Sequence, residues 1–415
     1  MSQPAIAKQA GPPQLVLLLI GSCMPVLGAV LLSPVLPRIS EHFAATPGSD
    51  VLVPVILTVP ALFIALGAPF AGAVADKFDR KRLLIAAMVG YAISGTAPLY
   101  LDSIQAILAS RVLVGVCEAA IMTCCTTLIA DYWSGPRRIR YLGLQTLVTT
   151  VAATAFFALG GLLGAGGWRT PFWLYAVAAL AAIPMALLLW QPAAAHHGGP
   201  HDGGPHDGGP HDGGPHHGDR EPWPWRALAV PSLVTIGGGV VFYTLIVQLS
   251  YVLDGVGVSD PAVIGGVTAL MSLATAVGAG LFARASGRGA RVLLIAEFAL
   301  SGLGLLLISA TEAVPVIVAG AVLTGFATGL LLPTLLTWAV NRLPFAQRGR
   351  GTGLWTGALF LGEFLSPLLV SALAAVTGGL GLSLAVIGVA SLVLAALVAT
   401  VLTVPATPLN AAPAE

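Results

Sequence analysis

Four ionisable side chains lie inside long apolar stretches of this chain: Arg111 and Glu118 in one stretch, Glu297 in another and Glu363 in a third. A charge in hydrocarbon is costly, so such a group is a functional candidate by default. It either ties helices together or takes up and releases a proton. Arg111 and Glu118 are seven residues apart, a spacing that on an α-helix returns to nearly the same face about 10.5 Å along the axis. That is too far for contact between extended neighbours, though long side chains and water can connect the two. Desolvation favours the neutral form of the Glu118 carboxyl and a nearby guanidinium favours the carboxylate, a balance suited to proton exchange. Glu363, beside Gly362 and ahead of Ser366-Pro367, reads as a second titrating site or as a hydrogen-bonded packing group. Arg111, Glu118 and Glu363 are therefore the proton-coupling candidates. Glu297, six residues past Arg291, reads as a latch or snorkelling partner near the membrane surface.

Uncharged polar and aromatic groups in the same stretches supply candidate substrate contacts: Gln145, Thr149, Tyr243, Gln248, Thr328, Thr334 and Trp338. Such Thr and Gln side chains also serve simply as hydrogen bonds between helices. Two clusters have metal-ligand chemistry. The unit Pro-His-Asp-Gly-Gly runs three times from Pro200 to Gly214 and carries His201, His206 and His211, whose imidazoles suit Ni, Co, Zn or Cu. Cys117 and Cys124 share a helix face beside Glu118 and Met122. Neither cluster has the fixed spacing of an established site, and a compositional repeat or ordinary Cys and Met packing is the stronger explanation.

Twelve apolar stretches must position these groups: roughly 15–36, 52–74, 83–101, 105–130, 143–165, 171–191, 228–250, 262–283, 291–310, 314–338, 353–375 and 379–403. Each is about long enough to cross a bilayer, and backbone in hydrocarbon must satisfy itself, so each is expected to be an α-helix. Only 9% of the 415 residues are charged against 56% hydrophobic, and mean hydropathy is +0.90. No water-facing fold fits that balance. A net charge of +1 argues against a nucleic-acid partner, and four Cys within spans suggest no disulfide framework. The first 14 residues lack a cleavable-leader pattern, so the first stretch reads as a retained span. All basic residues except Arg38, Arg111 and Arg169 fall in the N-terminal segment or in alternate breaks. By the positive-inside rule those breaks, and both termini, face the cytoplasm, as expected of a multi-pass protein of a bacterial inner membrane. No enzyme signature appears, and no cofactor is expected.

Residues 192–227, rich in His, Asp, Gly and Pro, cannot bury a core and read as a cytoplasmic connector. They separate a first bundle at 15–191 from a second at 228–403, with short segments at 1–14 and 404–415. The halves are related: Gly72 to Arg82 resembles Gly280 to Ala290, and Arg138 to Thr146 resembles Arg348 to Thr356, at offsets of 208 and 210 residues. The positions matching Arg111 and Glu118 are neutral, Ala321 and Thr328, so the charge is one-sided. A duplicated six-helix unit with a midplane site between the halves is a standard transporter plan.

At this point the chain resembles the major facilitator superfamily over nearly its whole length. Gly72, Asp76, Lys77, Arg80 and Lys81 match that family's loop motif after span 2, with Asp79 where Gly is usual. The resemblance implies that Asp76, Lys77, Arg80 and Lys81 latch the cytoplasmic side. Leu27-Gly28 with Pro34 to Pro37 is similar to the span-1 motif of its twelve-helix proton-coupled drug antiporters, and Arg111 with Gly115 fits their span-4 pattern. Their span-5 motif is matched only at Gly160-Gly161; Ala152, Phe156 and Phe157 stand where Gly, Gly and Pro are expected. The resemblance implies an all-α fold of two pseudo-symmetric six-helix bundles in a monomer, with spans 1, 4, 7 and 10 around a central cavity. It implies efflux of a small amphipathic organic molecule against proton entry. Alternatives are a transition-metal or metallophore exporter, a proton-coupled uptake symporter, and a non-transporting membrane metal sensor.

Overall fold

The computed structural model describes residues 10–70, 79–191, 225–344 and 347–402, with Val404 and Leu409. Among them are twelve helical spans long and apolar enough to cross a membrane. They are span 1 (Pro12–His42), span 2 (Ser49–Phe70), span 3 (Arg80–Leu99), span 4 (Ile104–Tyr132), span 5 (Gly135–Gly164) and span 6 (Thr170–Leu188). The second set is span 7 (Ala227–Gly255), span 8 (Pro261–Arg288), span 9 (Ala290–Ser309), span 10 (Val314–Val340), span 11 (Arg348–Thr377) and span 12 (Leu380–Thr400).

Span 1 is not one straight helix. Pro34 cannot donate to the ladder of the preceding turn, so the helix that starts at Pro12 ends at Val30. A 3-10 turn, Ser33–Val35, then carries the chain into a second helix, Leu36–His42. Prolines also sit inside spans 2, 6, 7, 10 and 11, where neighbouring helices tolerate the lost bond. Span 3 starts on Asp79, whose side chain accepts from the backbone N–H of Arg82 at 2.9 Å. Its φ of −62° needs no glycine, which explains Asp at that motif position: it caps the helix.

The packing repeats with a displacement of six spans. Span 4 packs on spans 1, 2 and 3, and span 10 packs on spans 7, 8 and 9. Span 1 lies on span 5 as span 7 lies on span 11, and span 3 lies on span 6 as span 9 lies on span 12. Two further contacts, span 5 with span 8 and span 2 with span 11, join the bundles and exchange under the same operation. The duplication read from sequence is thus a structural pseudo-symmetry.

Candidate functional site

Span 4 places Arg111 and Glu118 on its buried face, each 1% exposed. Arg111 turns into its own bundle. Its Nη2 donates to the carbonyls of Ser94 and Gly95 on span 3, both at 3.0 Å. The guanidinium lies 4.9 Å from the ring centroid of Tyr175 and 5.3 Å from that of Phe172, both on span 6, a cation–π arrangement. Gly95 is required there, because a Cβ would overlap the Tyr175 side chain. Nε and Nη1 of Arg111 have no hydrogen-bond partner among the described residues. Among the described residues no ion pair joins Arg111 to Glu118.

Glu118, two turns along the same buried face, is directed at span 1. Its Oε1 is buried without a hydrogen-bond partner among the described residues and occupies the space a Cβ on Gly28 would need. Beside it the Tyr91 hydroxyl donates to the Met24 carbonyl at 2.6 Å, closing the gap between spans 1 and 3. Glu363 of span 11 is 5% exposed and lies within electrostatic reach of Glu118. Tyr243 of span 7 feels both carboxylates, and its hydroxyl donates to the carbonyl of Ala29 at 2.6 Å. Glu118 and Tyr243 therefore both reach span 1, at Gly28 and Ala29, where the two bundles touch.

On the side away from the chain ends that junction is sealed. Ser33 Oγ donates to the Ile246 carbonyl, and Ser40 Oγ and Tyr251 hydroxyl are 2.8 Å apart, both pairs linking span 1 to span 7. Lower in the seam Thr154 Oγ1 donates to Ser272 Oγ at 3.0 Å. Gly161 and Gly265 let the backbones of spans 5 and 8 touch: a Cβ on Gly161 would stand 2.8 Å from the Gly265 Cα. Gly160, its neighbour, meets the Leu31 carbonyl of span 1. Toward the chain ends, spans 2 and 11 approach where a Cβ on Gly353 would lie 2.8 Å from the Ala68 carbonyl. Replacing Tyr251 with Phe removes one bond of the far-side seal, worth about 0.5–1.5 kcal/mol. The expected result is a roughly 2- to 13-fold rise in labelling of a single-cysteine reporter behind that seal.

The remaining predicted residues are placed as follows. Gln145 Nε2 donates to Ser22 Oγ at 2.8 Å and to Thr126 Oγ1 at 3.1 Å, joining spans 1, 4 and 5. Thr149 donates to the Thr146 carbonyl one turn back. Gln248 is buried on span 7. Thr328 bonds the Thr324 and Gly325 carbonyls of its own helix, and Trp338 packs in a core internal to the second bundle. Thr334 donates to Glu297 Oε1 at 2.8 Å. Glu297, expected near the surface, instead turns inward and is 1% exposed.

Arg80 pairs with Asp131 of span 4, and the Lys81 N–H reaches Gln191 Oε1 at 3.4 Å. Asp76 and Lys77 lie outside the described residues, as do His201, His206 and His211. Cys117 and Cys124 are free thiols, and among the described residues no three His, Cys, Asp or Glu side chains cluster as metal ligands. Sequence reasoning missed Tyr91, Phe172 and Tyr175, which shape the span-4 pocket, and Ser33, Ser40 and Tyr251. Tyr91 and Tyr251 each put a polar tip in an apolar span, and each tip finds a partner.

A family model described as Major Facilitator Superfamily matches residues 18–259 and 232–415. The chain is 26% identical over 238 residues to the class C tetracycline resistance protein of Escherichia coli, covering 56% of this chain and 53% of that protein. It is 30% identical over 153 residues to the bacillibactin exporter of Bacillus subtilis (strain 168), covering 35% and 37%. The matches thus span about half or less of these curated relatives. Among solved structures a D-xylose–proton symporter superposes with a TM-score of 0.73 at 14% identity, over 96% of this chain and 98% of that one. At that identity the likeness is one of fold.

Proposed function

The chain belongs to the Major Facilitator Superfamily, and from that premise we propose that it exports a small amphipathic organic molecule in exchange for protons, by alternating access. The observation that carries this reading is the Glu118 carboxylate. It is buried at the meeting of the bundles, holds one oxygen without a partner and lies in the field of Glu363. A proton arriving there needs to break no existing hydrogen bond to that oxygen. Arg111 sits two turns away on the same buried face of span 4, where it supplies a nearby positive charge without locking Glu118 in an ion pair.

Glu118 and Glu363 hold the protons, with Arg111 as the tuning charge. Tyr243 and Gln248 of span 7 and Gln145 and Thr149 of span 5 line the substrate path. Thr328, Thr334 and Trp338 of span 10 are assigned to packing of the second bundle, because their polar groups are engaged there or their rings lie in its core. With the basic breaks toward the cytoplasm, the sealed side is the exterior, and Asp76, Lys77, Arg80 and Lys81 latch the inner side when the exterior opens. The exporter and resistance names of the two curated relatives favour outward movement.

Purified protein in proteoliposomes with an imposed pH gradient tests the reading. A panel of amphipathic organic compounds is expected to yield at least one that accumulates on the acidic side, with loss on adding a protonophore. Flux that ignores the gradient, or none across the panel, would overturn it.

A further inference from the structure

Two tyrosine hydroxyls hold the same stretch of span 1, one from each bundle. Tyr91 of span 3 donates to the Met24 carbonyl and Tyr243 of span 7 donates to the Ala29 carbonyl, both at 2.6 Å. Pro25 weakens that stretch, because it leaves the Gly21 carbonyl without an intrahelical N–H. Gly28 lies between the two bonds. The Cβ that Gly28 lacks would overlap Glu118 Oε1 and stand 3.3 Å from the Tyr91 hydroxyl, so the two oxygens are near neighbours. They are not hydrogen-bonded to each other, since Oε1 has no partner among the described residues. A donor that can turn thus has two acceptors beside it, one taken and one open.

We propose that Tyr91 is a positioning residue that reports the charge on Glu118 to span 1 by exchanging one acceptor for the other. The inference rests on Glu118 as the proton site. With the acid protonated, the hydroxyl stays on Met24, as in the structure. An ionised carboxylate makes hydrogen bonds roughly twice as strong as a neutral acceptor, so on proton release the hydroxyl swings to Oε1. Tyr91 keeps its own proton throughout, and a returning proton displaces a hydroxyl that has Met24 to go back to. Tyr243 is the fixed clamp. Its acceptor, Ala29, belongs to the last turn of the helix Pro12–Val30, where carbonyls lack an intrahelical donor, whereas Met24 lies within the helix. Once Tyr91 lets go, span 1 hangs more on the second bundle, through Tyr243 and through Ser33 and Ser40 in the far-side seal. The charge on one carboxyl thereby decides which bundle span 1 follows. The other charged or titratable groups in electrostatic reach of Glu118 are Arg111 and Cys117 on its own span, Tyr175 on span 6, Tyr243 on span 7 and Glu363 on span 11. These set when Glu118 ionises; Tyr91 transmits the change.

Infrared difference spectroscopy between acid and alkaline pH tests this, on purified protein in lipid nanodiscs with isotope-labelled tyrosine rings. Wild-type protein is expected to lose a protonated-carboxyl band and to shift one phenolic C–O band with the same pH midpoint. Glu118→Gln should remove both changes. Tyr91→Phe should remove the phenolic change, keep the carboxyl band and move its midpoint up by about one pH unit, the margin of a hydrogen bond to an ion over one to a neutral carbonyl. A phenolic band that stays still through the wild-type carboxyl transition would overturn the proposal without recourse to any variant. So would a phenolic change that persists in Tyr91→Phe, or a midpoint that this variant leaves unmoved. In those cases a carboxyl band that is lost in Glu118→Gln leaves the proton assignment standing. If no carboxyl band is lost in Glu118→Gln, the proton assignment fails and this proposal with it.

Discussion

Glu118→Gln is expected to leave the protein folded and to reduce pH-gradient-driven transport to the level of protein-free vesicles. The amide has nearly the shape of the carboxyl and fits the space that Gly28 leaves open, but it cannot exchange a proton. Because Arg111 is held by the carbonyls of Ser94 and Gly95 and by two aromatic rings rather than by Glu118, neutralising Glu118 does not strip a buried guanidinium of its partner. A large loss of stability is therefore not expected; breaking a buried pair would have cost about 3–5 kcal/mol. Substrate exchange without a gradient should persist. Undiminished accumulation driven by a pH gradient would remove Glu118 from the mechanism.

Gly161→Val attacks the other half of the cycle. A Cβ at this position meets the backbone of Pro261 and Gly265 on span 8, atoms that cannot move aside as a flexible side chain can. Overpacking of this kind costs about 1–3 kcal/mol or more, and the cost falls only on conformations in which spans 5 and 8 close on the far side. At 2–3 kcal/mol the equilibrium shifts by about 30- to 150-fold toward the form open on that side. Spin-label distances across the seam should lengthen, and transport should fall in proportion. Unchanged distances with normal transport would show that the seam is not a moving contact.

The count and order of the spans were legible because hydrocarbon imposes length and composition on every crossing segment. Helix ends were less so. Gly135 to Leu142 and Arg348 to Thr352 are helical although their arginines and glycines end the apolar run: a helix need not stop where the bilayer does. The first apolar stretch was expected to end near residue 36, yet the 3-10 turn at Ser33–Val35 carries span 1 on to His42. Arg111, Glu118 and Glu363 stood out from sequence because charge is rare in such segments. Their surroundings did not, since Tyr91, Phe172 and Tyr175 are compositionally ordinary and gain meaning only from three helices converging. Glu297 shows the converse: distance along the chain from Arg291 suggested the surface, whereas the helix face, which one-dimensional spacing leaves open, turned it to Thr334.

Glu118 and Glu363 belong to different bundles, and that division has a mechanical meaning. Two like charges carried by separate rigid bodies act as a loaded spring whenever both are ionised, because low permittivity strengthens their repulsion. On the proposed proton-coupled reading, one bound proton, or one cationic guest between them, would relax the spring and let the bundles meet. Occupancy and closure would then be the same event, with no chain of relaying residues needed to connect them.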